Sequence, residues 1–215
     1  MEKIDLLEEW MNWWNNVGAI GDPVKSYNEI VNLYSIPKRA YHNWEGHIAR
    51  GYIDLKEVIN LGLAEHPNRL KYSWDLHDCK YYPERHNNEE QSAAYAYRFA
   101  LDRGLSVEFA GESKKLIVIT KHIEVPKTID EKIMVDIDLA VLGYPFPEFN
   151  QYRKDIREEY SFVSPPLYKE GRIALLQRFL GKKPLYQTDY FRNKYEAKAR
   201  DNLKRAIEDL KKEKT

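Results

Sequence analysis

The chain has 215 residues, 34 basic and 34 acidic side chains, and a single cysteine, Cys79. This length can bury the core of one domain without disulfide staples. The balanced charge excludes an overall field that draws the protein to nucleic acid or an anionic membrane. No stretch approaches 18 apolar residues and the acidic N-terminus does not resemble a signal peptide. We therefore expect a cytoplasmic protein with no membrane span.

Helix signals begin early in the chain. Asp22-Pro23 predicts an N-cap followed by proline at the first helical position. Apolar residues at helical spacing predict a helix from Trp44 to about Gly62, with His47 at the edge of its apolar stripe. Leu70, Trp74 and His77 then repeat at helical spacing, so His77 is expected to point the way the core residues point.

Further helix boundaries follow in the middle of the chain. Asn87-x-x-Glu90 predicts a capping box that opens a helix to Arg103, with Gly104 just past its end. Residues 113–122 have mixed signals, and we interpret them as helix because their neighbours are helical and no partner strand is evident. Thr128-x-x-Glu131 predicts a second capping box.

The last third of the chain also reads as helix. The run 133–143 is apolar in nearly every direction around a helix, which predicts that it is buried. Segments near 148–161, 166–180 and 189–213 read as helices, the last with Asp189 as a candidate cap. We therefore predict one all-α domain over 1–215. Helices in 1–38 would pack on it, and 189–215 would form a C-terminal helix.

Four side chains form an ordered series that suits a metal site. His47, the adjacent pair His77-Asp78, and Asp136 offer two imidazoles and two carboxylates. Such mixed nitrogen and oxygen donors suit Zn, Mn, Fe or Co and leave positions open for water and substrate. Each has a structural alternative: a core histidine bonded to a carbonyl, or a carboxylate in an ion pair or helix cap.

The choice between neighbouring candidates depends on helix geometry. Residues two apart on a helix point about 200° apart, so at most one of Asp136 and Asp138 faces a given ion, and the apolar stripe favours Asp136. Similar geometry allows only one of His42 and His47 to be a ligand. His122 is a candidate for a further ligand, with a helix C-terminal position as the alternative.

Other residues are candidates for proton transfer and phosphate binding. Glu89 and Glu90 open a helix soon after the His-Asp pair, and a general acid/base near the metal is the alternative to a capping role. Arg39 and Arg157 are guanidinium candidates for a phosphate, and an ion-pair or surface role is the alternative for each.

Several short motifs extend this pattern along the chain. They are Tyr41-His42-Asn43-x-x-x-His47-Ile48, His77-Asp78, Asn88-Glu89-x-x-Ser92-Ala93, Thr120-x-His122, Asp136-x-Asp138-Leu139-Ala140-x-Leu142-Gly143, Tyr152-Arg153-x-x-x-Arg157-x-Glu159-Tyr160 and Glu196-x-x-Ala199-Arg200-x-Asn202-Leu203. Together they resemble the predicted metal-dependent phosphohydrolases of the HD superfamily, over about residues 39 to 203.

That resemblance implies an HD-domain helical bundle and metal ligation by His47, His77, Asp78 and Asp136. It also implies hydrolysis of a phosphate mono- or diester, often of a nucleotide. Some HD nucleotidases carry a glutamate three residues after the aspartate of the pair, where this chain has Tyr81. Glu89, or alternatively Glu84, is then the expected acid/base.

We therefore predict a phosphohydrolase that uses one divalent ion (Mn, Fe, Co, Zn or Mg) to activate water. Asp78 belongs to its catalytic centre, and Arg39 or Arg157 is expected to clamp the phosphate of a small substrate, with a nucleotide as the expected class. One alternative is a non-catalytic helical module that binds a metal or nucleotide. Another is a helical interaction protein in which the histidines and aspartates pair internally. The sequence leaves the oligomeric state open.

Overall fold

The computed structural model describes residues 4–36 and 39–213, and within these ranges the secondary structure is helical, with no strand. The all-α prediction is confirmed. Residues 1–3 and 37–38 of the predicted N-terminal segment lie outside the described residues. The α-helices are Leu6–Val17 (α1), Pro23–Tyr34 (α2), Ala49–Asn60 (α3), Pro67–Leu76 (α4), Asn88–Asp102 (α5), Val107–Val118 (α6), Ile129–Asp138 (α7), Phe146–Glu159 (α8), Pro165–Gly181 (α9) and Asp189–Lys212 (α10).

Contacts divide the chain into two compact units, Met1–Met134 and Val135–Thr215. The single domain expected over 1–215 stays a prediction. Among the described helices, none combines the length and the apolar character that a membrane crossing requires.

The first unit is organised around a cluster of large aromatic side chains. The N-cap of α1 is Asp5, whose carboxylate accepts from two main-chain N–H groups of the first turn. The helix buries Trp10, Trp13 and Trp14 on one face. The Trp13 ring stacks on that of Tyr72 from α4, with centroids 5.2 Å apart. Burial of these rings, each on the order of 150–250 Å², supplies much of the apolar stabilisation of this unit.

Local capping signals in the first unit had different outcomes. Asp22 caps α2 as predicted, and residues 113–118 are helical within α6. Thr128 and Glu131 form the predicted capping box, since the Thr128 hydroxyl accepts from the Glu131 N–H and the Glu131 carboxylate accepts from the Thr128 N–H. The predicted box at Asn87 is wrong, because the Asn87 side chain makes no cap hydrogen bond.

The predicted helix from Trp44 to Gly62 is divided into two parts. It opens with a π-helical turn, Trp44–Ile48, and continues as α3. The N–H groups of His47 and Ile48 both donate to the Asn43 carbonyl, which widens this turn. Such widened turns are frequent at functional sites, and this one carries His47.

The second unit has a buried turn at its centre. Residues 133–143 are buried as predicted, apart from the half-buried Asp138. α7 ends at Asp138, and a 3-10 turn follows at Ala140–Gly143. The side chain of Asn202, from α10, donates to the carbonyls of Leu142 and Tyr144 and so satisfies the end of this turn. The cap of α10 is Thr188, not Asp189, because the Thr188 hydroxyl accepts from the Phe191 N–H.

Candidate metal centre

His47 is placed by the turn that precedes α3. The Asn43 side chain accepts from the Gly46 N–H at 2.6 Å and donates to the carbonyls of Arg39 and Ala40, so both ends of this turn are tied. His47 is 4% exposed. Its Nδ1 lies 3.0 Å from the Tyr41 hydroxyl, which orients the ring and directs Nε2 towards α4.

His77 and Asp78 follow the last turn of α4. His77 Nδ1 donates to the Trp74 carbonyl at 2.8 Å. A carbonyl can only accept, so Nδ1 carries a hydrogen, and in the neutral ring Nε2 then has a lone pair suited to a metal. The Asp78 N–H donates to the Tyr34 hydroxyl, which in turn donates to the Asp75 carbonyl. The pair is thus held by the Trp74 carbonyl and by the Tyr34 hydroxyl.

The donor atoms of these three residues converge. His47 Nε2 lies 3.0 Å from His77 Nε2 and 3.5 Å from Asp78 Oδ2, and His77 Nε2 lies 3.3 Å from the same oxygen. A triangle with these sides has a circumscribed radius of about 1.9 Å, shorter than a metal–ligand bond of about 2.1 Å, so one point lies at bonding distance from all three atoms. This buried group could hold a metal ion.

The pKa values of Asp78 and Glu89 are shifted in opposite directions. Burial opposes ionisation of Asp78, but His77, His42 and His47 hold the pKa of its carboxyl well below the usual range. Burial, with a smaller contribution from the charge of Asp78, raises the pKa of Glu89. Two carboxyl groups with pKa values moved in opposite directions are a common arrangement for acid/base chemistry.

Asp136 is not part of the three-residue group. It is fully buried in the second unit, where its carboxylate accepts from the N–H groups of Gln187 and Thr188 and from the Thr188 hydroxyl, at 2.7 to 2.8 Å. Burial raises the pKa of Asp136 to about 6, against the effect of these hydrogen bonds. Asp136 thus holds Gln187 and Thr188, the two residues just before α10. Metal ligation by Asp136 stays a prediction.

The guanidinium groups of the two arginines are engaged with main-chain carbonyls. Arg39 is 8% exposed and donates to four carbonyl oxygens, those of His42, Asp78, Cys79 and Tyr81. Its Nε is buried as well, which leaves no donor facing solvent for a phosphate.

Arg157 donates to the carbonyls of Tyr160 and Val163 and lies over the Tyr168 ring, so it closes the C-terminal end of α8. Arginine side chains commonly donate in this way to carbonyls at the C-terminal end of a helix. Phosphate binding by Arg39 or Arg157 stays a prediction.

The remaining sequence candidates lie as follows. The ring of His42 stacks on Tyr81, with centroids 4.0 Å apart, and His42 is not a member of the three-residue group. Glu84 is exposed on the loop that precedes α5. His122 ends the 3-10 turn Ile119–Lys121 in the left-handed region, at φ +57°.

Sequence reasoning missed the support that Trp74 gives to both histidines. Its ring stacks on His77 at 4.5 Å and contacts His47 at 5.2 Å, while its Nε1 donates to the Ile48 carbonyl. A Cβ on Gly51 would lie 2.1 Å from this ring. The signal was present as a tryptophan three residues before His77, but its partner Gly51 is distant in sequence and could not be inferred from spacing.

Comparison with known proteins gave no further assignment: no family model matches the chain, and neither the curated proteins nor the solved structures contain a match.

Proposed function

We propose that this protein is a divalent-metal-dependent phosphohydrolase, centred on His47, His77 and Asp78. The observation that carries the proposal is the convergence of their donor atoms, within 3.5 Å of one another, around one point at metal–ligand distance. Two imidazole nitrogens and one carboxylate oxygen form a set that binds Zn, Mn, Fe or Co, and three protein ligands leave positions for water and substrate.

The ligands are arranged to remain in the forms a cation requires. In the neutral His77 ring Nε2 keeps a lone pair, because Nδ1 donates to the Trp74 carbonyl, and a cation would replace protonated histidines in keeping the Asp78 carboxyl ionised. His47, His77 and Asp78 would hold a divalent ion, which would supply Lewis-acid polarisation of a phosphoryl oxygen and lower the pKa of bound water.

Glu89 is the proposed acid/base. It is half-buried in the first turn of α5, the helix whose Asn88 and Ser92 bond to the segment after Asp78, and burial raises the pKa of its carboxyl. A raised pKa lies closer to neutral pH, so Glu89 can both accept a proton from water and donate it to a leaving oxygen.

The phosphate chemistry is supported by the ordered series of histidines and aspartates and by its resemblance to HD phosphohydrolases. The proposed substrate is a small phosphorylated compound, with nucleotides the first class to screen, and the proposed setting is the cytoplasm. An HD-type bundle is the corresponding fold proposal.

The test combines metal analysis with turnover. Purified protein is analysed for transition metals and then assayed for phosphate release from a nucleotide panel with Mn, Co, Mg or Zn added. We expect near one metal per chain and metal-dependent phosphate release, both abolished in Asp78→Ala while the chain stays folded. Turnover retained in Asp78→Ala refutes the proposal.

Two other outcomes identify the alternatives. Metal bound without turnover across the panel identifies a non-catalytic binding module. Failure to bind any transition metal identifies internal pairing of the histidines and Asp78.

A further inference from the structure

Residues 78–82 lead from the proposed metal ligands to the loop before α5. Two of them, Lys80 and Tyr82, are bonded to α5. The N–H of Lys80 donates to Ser92 Oγ at 3.0 Å, and the Ser92 hydroxyl donates to the Lys80 carbonyl at 3.4 Å. Two residues later, the N–H of Tyr82 donates to Asn88 Oδ1 at 3.0 Å and Asn88 Nδ2 donates to the Tyr82 carbonyl at 2.9 Å. Each side chain therefore pairs with both main-chain groups of one residue.

The other three residues of the same segment are bonded to Arg39. Its guanidinium donates to the carbonyls of Asp78, Cys79 and Tyr81, at 2.8, 3.3 and 3.4 Å. The segment begins as a turn and a bend, not as an extended strand. Every residue of 78–82 nevertheless has a main-chain group bonded either to α5 or to Arg39.

We use the name clamp for the three side chains that hold residues 78–82, namely Arg39, Asn88 and Ser92. All three are buried. Ser92 is fully buried, Asn88 is 7% exposed and Arg39 is 8% exposed. Asn88 and Ser92 are four residues apart and so lie on one face of α5. Glu89, next to Asn88, occupies the same first turn. The clamp therefore fixes α5 against the segment that begins with Asp78.

We infer that Arg39, Asn88 and Ser92 are positioning residues that set the Asp78 carboxylate relative to His47 and to Glu89. This inference rests on the proposed metal centre. It also explains the Asn88-Glu89-x-x-Ser92 motif. Asn88 and Ser92 hold residues 78–82, and Glu89, next to Asn88, is the proposed acid/base.

The test uses cobalt(II) alone as the probe of the centre. Cobalt binding to the full chain is followed by titration and by its visible spectrum, which reports the ligand arrangement. We expect Ser92→Ala and Asn88→Ala each to weaken cobalt affinity by about 10- to 100-fold, the range for residues that orient metal ligands, and to alter the spectrum. Ser92→Thr keeps the hydroxyl and should restore much of the affinity.

Ser113→Ala is the matched control. Ser113 is as buried as Ser92, and its hydroxyl has no hydrogen-bond partner within the described part of the chain. It should leave cobalt affinity unchanged. If Ser92→Ala does not fold, Asn88→Ala decides the question, because it breaks the other half of the same clamp.

The outcomes separate the two proposals. Wild-type protein that binds no cobalt overturns the metal centre and this inference with it. Wild-type protein that binds cobalt, with Ser92→Ala and Asn88→Ala binding within twofold of it and showing the same spectrum, overturns the positioning role alone.

Discussion

Gly51→Ala should destabilise the first unit and weaken metal binding, although alanine is the better helix former. The added Cβ would lie 2.1 Å from Cζ2 and 2.8 Å from Cη2 of Trp74. Van der Waals contact requires about 3.5 Å or more, so the indole must move by roughly 1.5 Å. The ring supports both histidines and donates to the Ile48 carbonyl, and both interactions are then disturbed.

The magnitude follows from three contributions. Overpacking costs about 1–3 kcal/mol, and a buried N–H left without its partner costs about 1–3 kcal/mol. Replacing glycine in a helix returns up to about 1 kcal/mol. We expect a net loss of about 3 kcal/mol in the free energy of unfolding.

Tryptophan fluorescence in urea measures this loss in the unit concerned, because all five tryptophans lie between residues 10 and 74 of the first unit. Gly111→Ala is the control. Gly111 lies inside α6, and a Cβ there meets nothing within 4 Å. It should stabilise by about 0.5–1 kcal/mol. If Gly51→Ala is also neutral or stabilising, the reasoning about Trp74 is refuted.

Three further predictions concern proton transfer, pH dependence and a buried ion pair. Glu89→Gln should keep the metal content but lower kcat by about 10²- to 10⁴-fold, and unchanged turnover would remove Glu89 from the mechanism. The pKa of Asp136 is raised to about 6, so the folded chain holds this proton more tightly than the unfolded one. Its contribution to stability is therefore largest below about pH 4 and is lost as the pH rises through 6. The difference in unfolding free energy between wild type and Asp136→Asn, measured by circular dichroism, should fall over that window, and a flat or rising difference contradicts it. Lys71 donates to Asp75 at 3.0 Å, and both residues are buried. Lys71→Met should therefore lower the free energy of unfolding by about 3–5 kcal/mol, because it leaves a buried carboxylate unpaired. The Lys71→Met/Asp75→Asn double variant should recover part of this loss. Equal stability of the single and double variants in urea would show that the pair is not coupled.

The parts of the fold that were predictable are those set by neighbouring residues. Asp22 caps α2 by accepting from the N–H groups of Val24 and Lys25, just after Pro23. The capping box at Thr128 needs only Glu131 three residues later. The box at Asn87 has the same local pattern but does not form. The adjacent Asn88 is bonded to Tyr82 instead, a partner that the local pattern does not reveal.

The candidate site was predictable to a similar extent. The adjacency of His77 and Asp78 and the helical stripe that carries His77 indicated a buried pair, and His47 lies with it. The buried carboxylate of Asp136 was expected from its apolar neighbours. Its partners Gln187 and Thr188 are about 50 residues away, and no spacing rule connects them. Arg39 was chosen for its charge, while its four carbonyl partners are set by the folded path of the backbone.

The mutual hydrogen bonds between Tyr82 and Asn88 close a short loop, residues 83–87, whose two ends are pinned to each other. Residues 84–87 are exposed, and the main-chain bonds of Arg85 and His86 run to Tyr82, Asn88 and Lys121. Changes in the composition of this loop should therefore leave His77 and Asp78 in place. It is a natural position for lineage-specific substitutions that alter which molecules reach the centre.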